Sequence, residues 1–154
     1  MADRPNEFDA STIKVVFFDL DDTIIAPGNA AKKGEEASLN ILRKTHSKFE
    51  LSMIDEKYAE LSREMLNEFQ SGTMPLAKVY DRTTRFRRLL KKLRIPDHSL
   101  AQRMAKEYWK VRIANTRLNE GALKVLRDLC ETFSLGVITN GPTKWQEAKL
   151  TALG

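Results

Sequence analysis

The sequence predicts an α/β protein in which an all-helical insertion interrupts a core of parallel strands. Two short apolar runs, at residues 15–18 and 133–139, carry the strand signal, each bounded by polar or turn residues. Between them lie four stretches with apolar residues three and four apart, the spacing of amphipathic helices. Setting these aside leaves strand, helix, strand, a βαβ-like unit whose crossover should be right-handed.

The first strand, Val15-Val16-Phe17-Phe18, is rich in Val and Phe and reads as a buried parallel strand. It runs straight into Asp19-Leu20-Asp21-Asp22-Thr23, three carboxylates within four positions. Open parallel sheets bind ligands at the carboxyl ends of their strands, which puts Asp19 at the mouth of a site. Ala26-Pro27-Gly28-Asn29 is a turn, with Asn29 a candidate helix N-cap. A helix follows over 30–48 through Ala37, Ile41 and Leu42, and a second over 54–70 through Tyr58, Leu61, Met65, Leu66 and Phe69. Ser71-Gly72-Thr73-Met74-Pro75 ends it. Residues 76–93 read as one helix with Val79, Phe86, Leu89, Leu90 and Leu93 inward. After Ile95-Pro96-Asp97, residues 99–115 form a fourth, through Leu100, Met104, Tyr108 and Val111. A fifth helix over 122–131 has Leu123, Leu126 and Leu129 on its apolar face. The second strand ends in Thr139-Asn140-Gly141-Pro142, which opens a last helix carrying Trp145, Ala148 and Leu150.

A length of 154 residues with 42% hydrophobic and 31% charged side chains is enough for a real core and excludes the disordered class. No apolar stretch approaches the roughly 18 residues that would span a bilayer. Residues 1–12, with Asp3, Glu7 and Asp9, have neither signal-peptide nor transit-peptide character and read as a flexible leader. The single cysteine, Cys130, fits a reducing compartment, and the cytoplasm is the expected location. Cys130 itself reads as a small buried hydrophobe. His46 and His98 read as surface residues, and Trp109 and Trp145 as packing residues. The net charge of +5 is uneven, with Arg82, Arg85, Arg87, Arg88, Lys91, Lys92 and Arg94 in one run. That run is amphipathic and lacks interleaved aromatic residues for base stacking, so a solvated surface is its first reading and anion steering its second.

The string FFDLDDT at 17–23 resembles motif I (DxDxT) of the haloacid dehalogenase-like superfamily. The resemblance implies a Rossmann-like core with a helical cap inserted just after motif I, hence a cap at 29–116 and a core at 13–28 and 117–154. It also implies a Mg²⁺-dependent phosphatase working through an aspartyl-phosphate. Asp19 would be the nucleophile and a Mg²⁺ ligand. Asp21 would be the general acid/base and would bind the metal through its backbone carbonyl. The amides of Leu20 and Asp21 would help cradle the phosphate, while Asp22 and Thr23 shape the turn. The chemistry suits these residue types: a carboxylate splits one hard displacement into two, a second acid protonates the leaving oxygen, and oxygen ligands suit Mg²⁺. Dehalogenases of the superfamily, which expel halide and need no leaving-group acid, typically lack an aspartate two places after the nucleophile.

Residues 137–141, Val-Ile-Thr-Asn-Gly, resemble motif II, in which Thr139 would hydrogen-bond the phosphoryl oxygen and Asn140 would assist with its backbone. A hydroxyl and amides at a strand end, ahead of a helix N-terminus, form an anion seat. The longer string at 135–143 looks like the branch containing N-acylneuraminate-9-phosphatase and the pyrimidine nucleotidases. The motif III lysine and motif IV acids find no counterpart, since Lys144 and Lys149 come too soon and no acidic cluster follows Glu147. The expectation is therefore the cap plus the N-terminal part of the core, weakly active by itself. The substrate would be a small phosphorylated metabolite, with neither nucleic acid nor membrane as partner. Two other readings stand beside it: a non-catalytic fragment or pseudoenzyme, and a basic helical module binding nucleic acid or membrane surfaces through residues 82–94.

Overall fold

The computed structural model describes residues 12–154; nearly all of the expected leader, residues 1–11, lies outside them. The elements run β1 (Val15–Phe18), α1 (Ala30–Thr45), α2 (Leu51–Gln70), α3 (Leu76–Tyr80), α4 (Arg82–Lys92), α5 (His98–Ala114), α6 (Ala122–Cys130), β2 (Ser134–Val137) and α7 (Thr143–Leu153). They form a mostly helical chain with a short two-stranded parallel sheet, a partial Rossmann-like core together with a helical cap. Among the described residues no helix is long and apolar enough to cross a membrane. The described residues form two compact units, one of residues 12–27 and 117–140, the other of 28–116 and 141–154.

In the first unit β1 and β2 pair in parallel, with Val15 opposite Ser134, Phe17 opposite Gly136 and Phe18 opposite Val137. The Phe17 ring lies over Gly136, where an added Cβ would fall 2.5 Å from the ring, so the glycine makes room for its cross-strand partner. The strands are less buried than their sequence suggests. Phe17 is 59% exposed and Ile138 64%, and no residue of β1 or β2 is fully buried. Among the described residues each strand has one paired edge, and α6 covers the pair only in part, with Leu126 and Leu129 half-buried and Leu123 and Val125 exposed. Cys130, expected to be buried, is exposed at the end of α6 for the same reason.

The second unit holds the continuous apolar core. Leu39 and Leu42 of α1, Ile54, Leu61 and Met65 of α2, Phe86, Leu89 and Leu90 of α4, and Leu100, Met104 and Tyr108 of α5 are all buried, as the three- and four-residue spacing requires. The tightest approach is α1 against α5. Gly34 faces Tyr108 so closely that a Cβ would sit 2.8 Å from the Tyr108 carbonyl oxygen. One turn on, the buried Ser38 hydroxyl donates to the Gly34 carbonyl at 2.8 Å and to the Met104 carbonyl at 2.9 Å, so a polar group at the seam is satisfied.

The stretch at 76–93 is two helices, not one. Asp81 adopts an extended backbone (φ −72°, ψ 97°), and its carboxylate accepts from the amides of Thr83 and Thr84 as the N-cap of α4. Partial burial opposes ionisation, but these bonds and that from the Thr84 hydroxyl hold the Asp81 carboxyl below its usual range. Asn29 occupies the expected N-cap position of α1 but makes no side-chain cap bond.

Two cations of the basic run, Arg88 and Lys92, are paired with carboxylates inside this unit. Arg88 pairs with Glu68 of α2 through both guanidinium nitrogens, and Lys92 reaches Glu60 at 2.9 Å and Glu64 at 2.7 Å. Arg85 donates to Ser62 at 3.2 Å. Residues 141–154, placed with the core by the sequence reading, group with the helical unit because Trp145 of α7 stacks on Trp109 of α5, with centroids 4.2 Å apart and planes 10° apart.

Two outcomes follow from this packing. Replacing glycine by alanine within a helix ordinarily adds about 1 kcal/mol of stability. At Gly34 overpacking against Tyr108 should reverse the sign and cost about 1–2 kcal/mol in urea denaturation; a stabilised Gly34→Ala would contradict the close approach. Hydrogen bonds from Lys57 and Lys92 lower the Glu60 carboxyl from 4.5 to about 2. A depressed carboxylate contributes stability above its unfolded pKa and loses it as pH falls through the folded value. The melting temperature should therefore fall between about pH 4.5 and 2, with Glu60→Gln showing a shallower decline. The difference should shrink in high salt because the pair is at the surface.

Candidate functional site at the carboxyl end of the strand pair

The candidate site residues Asp19, Leu20, Asp21, Thr139 and Asn140 all belong to the first unit. The amide of Ile138 donates to the Phe18 carbonyl at 2.9 Å, continuing the ladder one step past β2. Parallel register then brings Asp19 and Thr139 out of the same end of the sheet from adjacent strands. Asp19 is exposed, Asp21 and Thr139 are half-buried, and Asn140 is exposed.

The turn after β1 is held by alternation. Leu20, Ile24 and Ile25 are buried and pin the segment from below, while Asp19, Asp22 and Thr23 stay at the surface. The Ile25 amide returns to the Leu20 carbonyl at 2.8 Å, and Asp21 bridges to Ile25. Asp22 has φ 61°, in the left-handed region where a short polar side chain is tolerated, and this residue reverses the chain. The Thr23 hydroxyl donates to Asp19 Oδ2 at 3.3 Å. Thr23 thus orients the carboxylate as well as shaping the turn.

Asn119 is a participant that the sequence reading passed over as part of a helix lead-in. Its amide side chain donates to the Thr23 carbonyl at 2.9 Å, and its backbone amide to the Ile24 carbonyl at 2.8 Å. The Ala26 amide reaches the Arg117 carbonyl at 3.0 Å, and Ile25 bridges to Leu118. Residues 117–119 therefore clamp the carboxylate turn from 96 positions away in the case of Thr23, a separation at which no local pattern signals contact.

The sequence model of the haloacid dehalogenase-like hydrolases matches residues 13–154, both strands and every helix between and after them. The chain belongs to this family. No curated protein matches it significantly. Among solved structures, YfnB of Bacillus subtilis, described as a HAD-hydrolase bound to magnesium, superposes with a TM-score of 0.56 at 23% identity over 90% of this chain. The 2-haloacid dehalogenase of Pseudomonas syringae pv. Tomato DC3000 superposes with 0.59 at 24% identity over 93%. The chain spans 57% of the YfnB structure and 67% of the dehalogenase. At these identities the likeness speaks for the fold.

Within the haloacid dehalogenase-like frame the donor set fits a hard cation. The turn offers the exposed Asp19 carboxylate together with Asp21, oxygen donors throughout, and Mg²⁺ commonly takes only one or two protein carboxylates, completing its shell with water and phosphate oxygens. Among the described residues no cluster of three or more His, Cys, Asp or Glu side chains forms a larger cage.

The backbone at Asp22 gives a direct check on the turn. Asp22→Val should cost about 1–2 kcal/mol, because a β-branched side chain is strained at positive φ. Asp22→Gly should fold at least as stably as the parent in thermal denaturation. Equal stabilities for the two variants would contradict the left-handed turn.

Proposed function

We propose that this hydrolase is a Mg²⁺-dependent phosphatase that cleaves small phosphorylated metabolites through an aspartyl-phosphate on Asp19. The observation that carries the reading is Asp21, a second carboxylate two residues beyond the first on the same turn. An alkoxide leaving from phosphorus needs a proton, and a halide leaving from carbon does not. Thr139 and Asn140, just past the end of the neighbouring strand, supply the polar groups an oxyanion would need. The chain spans 57% of YfnB, so the activity is assigned to the protein carrying its whole hydrolase core.

In the proposed reaction the Asp19 carboxylate attacks phosphorus. The Thr23 hydroxyl engages one of the two Asp19 oxygens, Oδ2. Asp21 gives its proton to the departing alkoxide, then takes one from the water that hydrolyses the acyl-phosphate, regenerating Asp19. The Thr139 hydroxyl, the Asn140 backbone and the amides of Leu20 and Asp21 would hold the phosphoryl oxygens. Asp19 and the Asp21 carbonyl would hold Mg²⁺, which when bound supplies positive charge against the carboxylate–phosphate repulsion.

Hydrolysis of p-nitrophenyl phosphate with Mg²⁺ tests the assignment. Asp19→Asn should abolish turnover. Asp21→Asn should slow an alkyl phosphate by about 10²-fold or more while affecting p-nitrophenyl phosphate less, since p-nitrophenolate leaves readily without a proton. Halide release from a 2-haloacid with no phosphate release, or undiminished turnover by Asp19→Asn, would contradict the reading.

A further inference from the structure

The helical unit carries a recess of about 290 Å³ whose residues play no part in the reaction just described. Its wall is the stacked pair Trp109 and Trp145, and its other lining groups include Arg82, Lys106, Lys144 and Gln102. Among the described residues Asp81 is the single carboxylate lining it, and its oxygens are engaged by the amides and hydroxyl at the start of α4.

The charge balance here differs from that of the α2–α4 seam. Arg88 and Lys92 meet carboxylates of α2, whereas among the described residues Arg82, Lys106 and Lys144 form no ion pair. Arg82 lies over the Tyr108 ring at 4.4 Å and donates to the Tyr108 hydroxyl at 2.9 Å, while its Nε and Nη1 are buried without an acceptor. The Lys144 ammonium stands 5.0 Å from the Trp145 ring centre. Three cations around one occupied carboxylate, in a recess bordered by indole, favour a negatively charged guest with an apolar part. The volume lies at the small end of ligand sites, which limits that guest to metabolite size.

We infer that the Trp109–Trp145 recess binds a small organic oxyanion, its charge on Lys106, Lys144 and Arg82 and its apolar part against the indoles. The site stands independently of the phosphatase reading.

Both tryptophans of the chain line the recess, so intrinsic fluorescence reports on it directly. Titration with phenylphosphonate, which carries a ring and a phosphorus oxyanion but no hydrolysable ester, should give a saturable fluorescence change. Addition of 0.5 M NaCl should weaken it. The double variant Lys106→Gln/Lys144→Gln replaces two exposed side chains and keeps both reporters; it should raise the apparent Kd about tenfold, in line with the loss of two partly screened charge contacts. Benzyl alcohol, the neutral counterpart, should bind far more weakly. Asp19→Asn should leave the titration unchanged. No saturable change, equal affinity in the double variant, equal binding of benzyl alcohol, or loss of the signal in Asp19→Asn would each overturn the inference.

Discussion

The parallel pairing of two four-residue strands is the constraint on which the candidate site depends. One hydrogen bond beyond β2, from the Ile138 amide to the Phe18 carbonyl, fixes the register at the end that matters. Parallel strands point their carboxyl ends the same way, so whatever follows each strand emerges side by side. After β1 come Asp19 and Asp21; after β2 come Thr139 and Asn140. A shift of one residue would turn each side chain to the opposite face and separate the carboxylates from the hydroxyl. Gly136 supports that register by accepting the Phe17 ring across the pair. Leu20, Ile24 and Ile25 then hold the carboxylate turn by burial, and Asn119 holds it by hydrogen bonds.

What could be read from the sequence was whatever is encoded by periodicity and by residue chemistry at short range. The helical insertion, its inward-facing leucines and the polar ends of both strands are of this kind, as is membership of the haloacid dehalogenase-like hydrolases. The break between α3 and α4 was hidden because the apolar spacing continues through it, although Asp81 followed by two threonines is a capping pattern. Burial of the strands was overestimated because an apolar strand says what it prefers to face, not what is there to cover it. Cys130 was misplaced by the same reasoning. The clamp from Asn119 and the stacking of Trp145 on Trp109 are long-range contacts with no local signature.

Electrostatics divides the helical unit into two regimes. Along the α2–α4 seam Arg88 and Lys92 meet Glu60, Glu64 and Glu68, so two of the seven cations in the run are paired with carboxylates of α2. In the recess beside Trp109 and Trp145, Arg82, Lys106 and Lys144 form no ion pair among the described residues, and the Asp81 carboxylate is engaged in capping α4. The distinction follows from helix geometry. Residues Arg88 and Lys92 are one turn apart and share the face turned to α2, whereas Arg82 sits two turns earlier against Tyr108 of α5. Net charge alone could not have separated these surfaces.

The identity of the attacking group is the claim on which the functional account turns, and trapping tests it most directly. The protein, with its whole hydrolase core, is incubated with Mg²⁺ and a phosphate-ester substrate, quenched, and reduced with borohydride, which converts an aspartyl-phosphate to homoserine. Peptide mass spectrometry then locates the altered position. Homoserine at position 19, with Asp21 and Asp22 intact, is the expected result. Phosphate release without any altered residue, or alteration at another carboxylate, would contradict it.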